Sequence, residues 1–157
     1  MKKAIILLLV ICLVSVSACI PGNVVERIGA PLGDVALTSI EYNIIMGREG
    51  TAIMNLLETH MSNGRSVARG EYPLDREIGN VAYSIAKADE AITAVAILHI
   101  PEGMEDTAAE MIRRMHNARN SLELYQTDLL NNNLEAIGGR VNLMRGDFTA
   151  LSGMQNP

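Results

Sequence analysis

Met104-Glu-Asp-Thr-Ala-Ala-Glu-Met-Ile-Arg-Arg-Met-His-Asn-Ala-Arg-Asn-Ser-Leu-Glu-Leu-Tyr-Gln-Thr-Asp-Leu129 is the stretch that decides the fold. Met104, Ala108, Met111, Met115, Ala118, Leu122, Tyr125 and Leu129 recur at alternating steps of four and three. That spacing places them on one side of a helix, and holding it over so many turns requires other helices to cover the stripe. Glu102, Glu105 and Asp106 flank the start of the stripe and suit the positive end of a helix dipole, so this helix is predicted to start between Glu102 and Asp106.

The same stepping extends outward on both sides. Upstream, Ile78, Val81, Ile85, Ala88, Ile92 and Val95 predict a helix that starts near Leu74-Asp75 and ends before Pro101. Before that, Leu37, Ile40, Ile44, Gly47, Thr51 and Met54 mark a first helix, with Asp34 as its N-cap and an end near Ser62. Asn63-Gly64 is read as its stop, and Arg65 to Pro73 as the connection. Gly47 lies on the stripe and is expected to let a neighbouring helix approach closely, with a hinge at Gly47 and Gly50 as the alternative. Downstream, Asn131-Asn132-Asn133 breaks the register. Leu134, Ile137, Val141, Met144, Phe148 and Leu151 then resume it in a shorter fourth helix over 133–151, weakened by Gly138, Gly139 and Gly146. Helices joined by short connections favour an antiparallel arrangement. The fold class is therefore all-α, an antiparallel helical bundle of three long helices plus a shorter fourth.

Composition agrees. The 157-residue chain has four Tyr, one Phe and no Trp against nine Met, which suits packing between helices better than a β-sandwich. Its formal net charge is −5, and beyond Lys2 and Lys3 the only lysine is Lys87. A basic patch able to neutralise phosphates is missing, so nucleic acid is not an expected partner.

The N-terminal end is of another kind. Lys2 and Lys3 give a positive start, Ala4 to Val14 an apolar run, and Ser15 to Ala18 a small-residue approach to a cut site, the layout of an export signal. The apolar run is well short of the roughly 20 residues a membrane-spanning helix needs. Val16-Ser17-Ala18-Cys19 resembles the lipobox of prokaryotic lipoproteins, with Val16 at the branched position, Ser17 and Ala18 at the small ones and Cys19 as the invariant cysteine. The resemblance covers only these first residues. It implies that a diacylglycerol is joined to the Cys19 thiol, that a peptidase recognising Val16, Ser17 and Ala18 cuts before Cys19, and that the acylated residue becomes the N-terminus. An uncleaved anchor helix with a free thiol is the alternative.

On this reading the chain divides into a cleaved signal peptide over 1–18, a lipidated tether over 19–33, the bundle over 34–152 and a fraying tail over 153–157. The tether carries Pro21, Gly22, Gly29, Pro31 and Gly33 and would reach about 45 to 50 Å if extended. Once the leader is removed Cys19 is the sole cysteine, which leaves no internal disulfide and no thiolate metal cluster. The expected location is the cell membrane or outer membrane, held by lipid, with the bundle on the extracytoplasmic side.

Motifs for chemistry are scarce. No His follows a Glu by three residues as the di-iron bundles require, and there is no Cys-x-x-Cys-His, His-Glu-x-x-His, Gly-x-Ser-x-Gly or phosphate-cradling glycine loop. His60, His99 and His116 fall at different heights of an up-down-up bundle, which argues against a three-histidine centre. His60-Met61 and Met115-His116, with Met111 near them, leave a copper or haem carrier as one alternative function, although Met111 and Met115 sit on a core stripe; an enzyme with an unrecognised site is the other. The acid pairs Asp89-Glu90 and Glu105-Asp106 splay around a helix surface, and Arg65 and Arg69 read as solvated loop. No cofactor is expected apart from the lipid on Cys19. The leading expectation is a non-catalytic helical module that binds a protein partner or supports assembly in the cell envelope.

Overall fold

The computed structural model describes residues 37–155. Cys19, the leader, the tether and Asp34 lie outside them. The described residues form four helices and no strand: α1 (Ser39–Ala68), α2 (Leu74–Ala96), α3 (Glu105–Leu130) and α4 (Ile137–Gln155), the last preceded by a single 3-10 turn over Leu134–Ala136. Each helix packs on the next and α4 closes back on α1; α1 and α3 also approach across the diagonal. This is the expected all-α bundle. Among the described residues no helix is long and apolar enough to cross a membrane.

The boundaries are set by local chemistry. Thr38 caps α1 in a capping box: the Glu41 amide donates to Thr38 Oγ1 at 3.2 Å and the Thr38 amide donates to Glu41 Oε2 at 3.0 Å. The helix then runs straight through Asn63-Gly64, which corrects the expected stop. Its end is at Gly70, which has φ of +70°. There the Gly70 amide donates to the Val67 carbonyl at 2.9 Å and the Glu71 amide to Ser66 at 2.8 Å, the paired bonds of a Schellman motif. Arg65 is therefore on the helix and not in a loop, while Arg69 is its C-cap.

α3 ends in the same way, with Asn132 at φ of 52° in the place of glycine. The Asn132 amide donates to Leu129 at 3.0 Å and that of Asn133 to Asp128 at 2.8 Å. The break in register at the asparagines is this motif. At the other end of the chain α4 keeps its helical form to Gln155, and Met154 packs against the core, so fraying does not begin at Ser152 or Gly153.

The core follows the stripes on three helices. Ala108, Met111, Met115, Ala118, Leu122, Tyr125 and Leu129 of α3 are buried, as are Val81, Ala88, Ile92 and Val95 of α2 and Ile137, Val141, Met144 and Leu151 of α4. On α1 the expected stripe holds only in part: Met54 is in the core and Leu37 packs against it, but the positions between them do not form the buried face. Ile40 and Ile44 are 72% and 65% exposed, and Thr51 also faces solvent. The buried face instead runs through Tyr42, Met46, Gly50, Ile53, Leu57, His60, Gly64 and Val67, again at steps of four and three. A Cβ placed on Gly47 would meet nothing within 4 Å, so this glycine does not mark a close helix crossing. Gly64 does mark one. A Cβ there would lie 3.1 Å from Tyr125 Oη, 3.2 Å from Val141 Cγ2 and 3.4 Å from Ile137 Cγ2, which puts α1 hard against α3 and α4.

Candidate functional site

Two features stand out on the α1–α2 pair, one inside the bundle and one on its surface. The inner one is a layer of polar side chains at stripe positions. His60 and Glu77 are fully buried, and Ser84 and Tyr125 are buried with them. His60 Nδ1 lies 2.6 Å from Glu77 Oε1, and Nε2 lies 2.8 Å from Ser84 Oγ. A carboxylate oxygen only accepts, so Nδ1 is the nitrogen that donates to Glu77, while Nε2 is paired with the Ser84 hydroxyl. Asn63 Nδ2 donates to Glu77 Oε2 at 2.8 Å, and Tyr125 Oη donates to Oε1 at 3.3 Å. Both carboxylate oxygens are thus satisfied by groups from α1 and α3, as a carboxylate in the core must be. Burial, reinforced by the adjacent Glu77 carboxylate, pushes the Tyr125 hydroxyl well above the usual tyrosine range.

Glu77, His60 and Ser84 stand in the order of an acid–base–nucleophile relay. Two observations set this layer apart from a hydrolase site. Ser84 Oγ is in the core, and the α2 residues that line the nearby surface groove are Tyr83, Lys87, Glu90, Ala91 and Ala94, on another face of the helix. Ser84 also sits in the middle of α2, where the surrounding amides are spent on the helix ladder and none is free to stabilise an oxyanion. The chemistry left to the layer is recognition between helices: it accepts one pairing of α1, α2 and α3 and strands buried donors in any other.

The outer feature is a groove of about 460 Å³ between α1 and α2. Ala52, Ala91 and Ala94 line it with small side chains, Leu56 and Tyr83 add apolar surface, and Glu49, Lys87 and Glu90 supply its charges. Tyr83 is 64% exposed. Lys87 Nζ sits 5.6 Å from the Tyr83 ring centroid and 2.6 Å from Glu90 Oε2, so its charge is held at the aromatic ring. The carboxylate bond raises the Lys87 ammonium above its ordinary range.

The residues singled out from sequence scatter. Of the four considered for copper or haem, His60, Met61 and Met115 are buried and His116 is exposed. Both ring nitrogens of His60 are taken by Glu77 and Ser84. Among the described residues no three His, Cys, Asp or Glu side chains converge on a point that would hold a metal ion. Asp89 bonds Arg119 at 2.7 Å, Glu90 bonds Lys87, and Glu105 and Asp106 are exposed in the first turn of α3. Arg65 and Arg69 are exposed and do not line the groove, and Arg69 pairs with Glu71 at 2.8 Å. Sequence reading passed over Glu77, Ser84 and Asn63. The available signal was phase: Glu77, Val81, Ser84, Ala88, Ala91 and Val95 keep the stepping of a core face.

Comparison with models of known protein families, with curated proteins and with solved structures finds no match to this chain.

Proposed function

We propose that this chain is an exported lipoprotein, tethered at the cell boundary through a diacylglycerol on Cys19, whose bundle is a non-catalytic module that binds a helix of a protein partner in the α1–α2 groove. The observation that carries the binding role is the groove itself. Its alanines keep two helices thin on one side, so a third helix can come close, and Tyr83 and Leu56 offer apolar surface of the kind that anchors an interface. The location rests on Lys2-Lys3, the short apolar run and Val16-Ser17-Ala18-Cys19.

The two halves of the reading are tested separately. Mass spectrometry of the full chain recovered from membranes should find an acylated N-terminus at Cys19, and Cys19→Ala should release the protein from the membrane fraction. An intact leader with a bare thiol would overturn the anchor. For the groove, a photo-crosslinking residue at position 83 should capture a partner whose attached peptide is helical and apolar on one face. The same probe combined with Ala94→Arg, which obstructs the groove, should capture nothing. Capture that Ala94→Arg leaves unchanged, or none from either protein, would sink the groove as a binding site.

A further inference from the structure

We propose that Asn63 is a deamidation site under conformational guard: the folded bundle suppresses the reaction, and a chain that has reacted while open no longer closes. Asn63-Gly64 is the only Asn-Gly pair in the sequence. In such a pair the Gly64 amide nitrogen, with no Cβ beside it, attacks the Asn63 side-chain carbonyl carbon. A carbon–nitrogen bond forms, the bond to the side-chain nitrogen breaks, and ammonia leaves, carrying the proton from the Gly64 amide. The product is a five-membered succinimide. Water then adds to one of its two carbonyls and opens the ring to aspartate or isoaspartate, so water is the only co-reactant.

Three features oppose this in the native bundle. The pair lies inside α1, where helical geometry keeps the Gly64 nitrogen away from the Asn63 side chain and commits its N–H to the ladder. The departing nitrogen, Nδ2, donates to Glu77 Oε2 at 2.8 Å. And Gly64 is buried against Tyr125, Val141 and Ile137, so the backbone here cannot open without lifting α1 off α3 and α4. Reaction is therefore confined to the population in which the bundle has opened.

Afterwards the same contacts turn against the fold. Aspartate at 63 replaces a donor with a second carboxylate facing Glu77 in a part-buried site, where like charges repel and neither is fully hydrated. Isoaspartate adds a methylene to the main chain between His60 and Val67 and throws the last turns of α1 out of phase with the core. Each opening of the bundle thus carries a chance of one-way exit from the native population.

The test uses the full chain held in mildly alkaline buffer, one sample native and one in urea, with peptide mapping of Asn63 over time. Conversion in the native sample should be slower by more than about tenfold, following the open fraction. After urea is removed, the refolded fraction should contain only Asn63, with aspartate and isoaspartate left in the misfolded fraction. Asn63→Asp should likewise fail to recover the native state when urea is removed. Asn63→Gln, which keeps a donor, should refold fully after the same incubation; the wild-type maps decide the matter should that variant fold poorly. Equal conversion in the two samples, or converted chains that refold with the wild-type midpoint, would overturn the proposal.

Discussion

α1 and α3 are the two longest helices and touch across the diagonal, yet they are held in opposite ways. α3 presents Ala108, Met111, Met115, Ala118, Leu122 and Leu129, positions that would pack on almost any apolar neighbour, with Ser121, Tyr125 and Asp128 as the polar minority of its buried face. α1 brings Gly50, His60 and Gly64 to the core, a face that fits only one arrangement of neighbours. His60 needs Glu77 and Ser84, and Gly64 needs the Tyr125 hydroxyl and Val141 close beside it. α3 therefore supplies most of the cohesion and α1 most of the register.

Breaking each helix by its own principle should give the largest effects. Glu77→Ala strands the donors of His60, Asn63 and Tyr125 in the core and should cost about 3–5 kcal/mol in urea unfolding. Met115→Ala, a cavity in the cohesive face, should cost about 2–5 kcal/mol. The contrast lies in the state that remains: the first should loosen side-chain packing while helix content persists, read as lost dispersion of methyl signals, and the second should keep a single well-ordered state.

Two glycines within α1 should respond in opposite ways. Gly64→Ala crowds Tyr125 and Val141 and should destabilise by about 1–3 kcal/mol from overpacking, less the roughly 1 kcal/mol gained in helix propensity. Gly47→Ala meets nothing and should stabilise by about 0.5–1 kcal/mol. Thermal melts of the two variants should move in opposite directions; a shift in the same direction would remove the close approach at Gly64 from the account.

Titration gives the smaller effects. The folded bundle holds the Tyr125 hydroxyl above its ordinary value of 10.0, so the stability it contributes is complete below that pH and is lost as pH rises above it. Tyr125→Phe should cost about 0.5–1.5 kcal/mol at neutral pH and flatten the alkaline loss. Some of that loss should remain, because burial raises Tyr42 as well. On the acid side, hydrogen bonds from Arg113 and then Arg114 hold Glu110 down at about 2, from an ordinary 4.5. A lowered carboxyl stabilises above its ordinary value and loses that contribution as pH falls toward about 2. Arg114 also donates to the Ala150 carbonyl at 2.7 Å, so protonation of Glu110 should loosen the seam between α3 and α4. Glu110→Gln should make the urea midpoint less sensitive to pH across that window, a small change because the site is exposed.

The same contrast explains what could be read in advance. α3 was legible because its face is apolar at nearly every step, and α2 and α4 nearly so. On α1 two sets shared the stepping, and Leu37, Ile40, Ile44, Gly47 and Thr51 competed with Tyr42, Met46, Gly50, Ile53, Leu57, His60, Gly64 and Val67. The second set contains a histidine and two glycines, and its claim to the core depends on what other helices place opposite. Asn63-Gly64 has the chemistry of a helix end, and Glu77 and contacts with α3 and α4 are what keep the helix going. The polar layer was hidden for the same reason: Glu77 and Ser84 look like surface until His60 stands across from them. The N-caps misled less, since Thr38 lies only four residues past Asp34 and offers the same kind of side-chain oxygen.

Lys87 has a practical corollary. It is the single ε-amine among the described residues, and it stands at the mouth of the groove beside Tyr83. An acylating dye would therefore find one attachment point on the bundle, and the carboxylate that keeps this amine protonated would slow the reaction until alkaline conditions free its lone pair. Occupancy of the groove could then be followed by the colour of a single fluorophore, with no residue changed to install it.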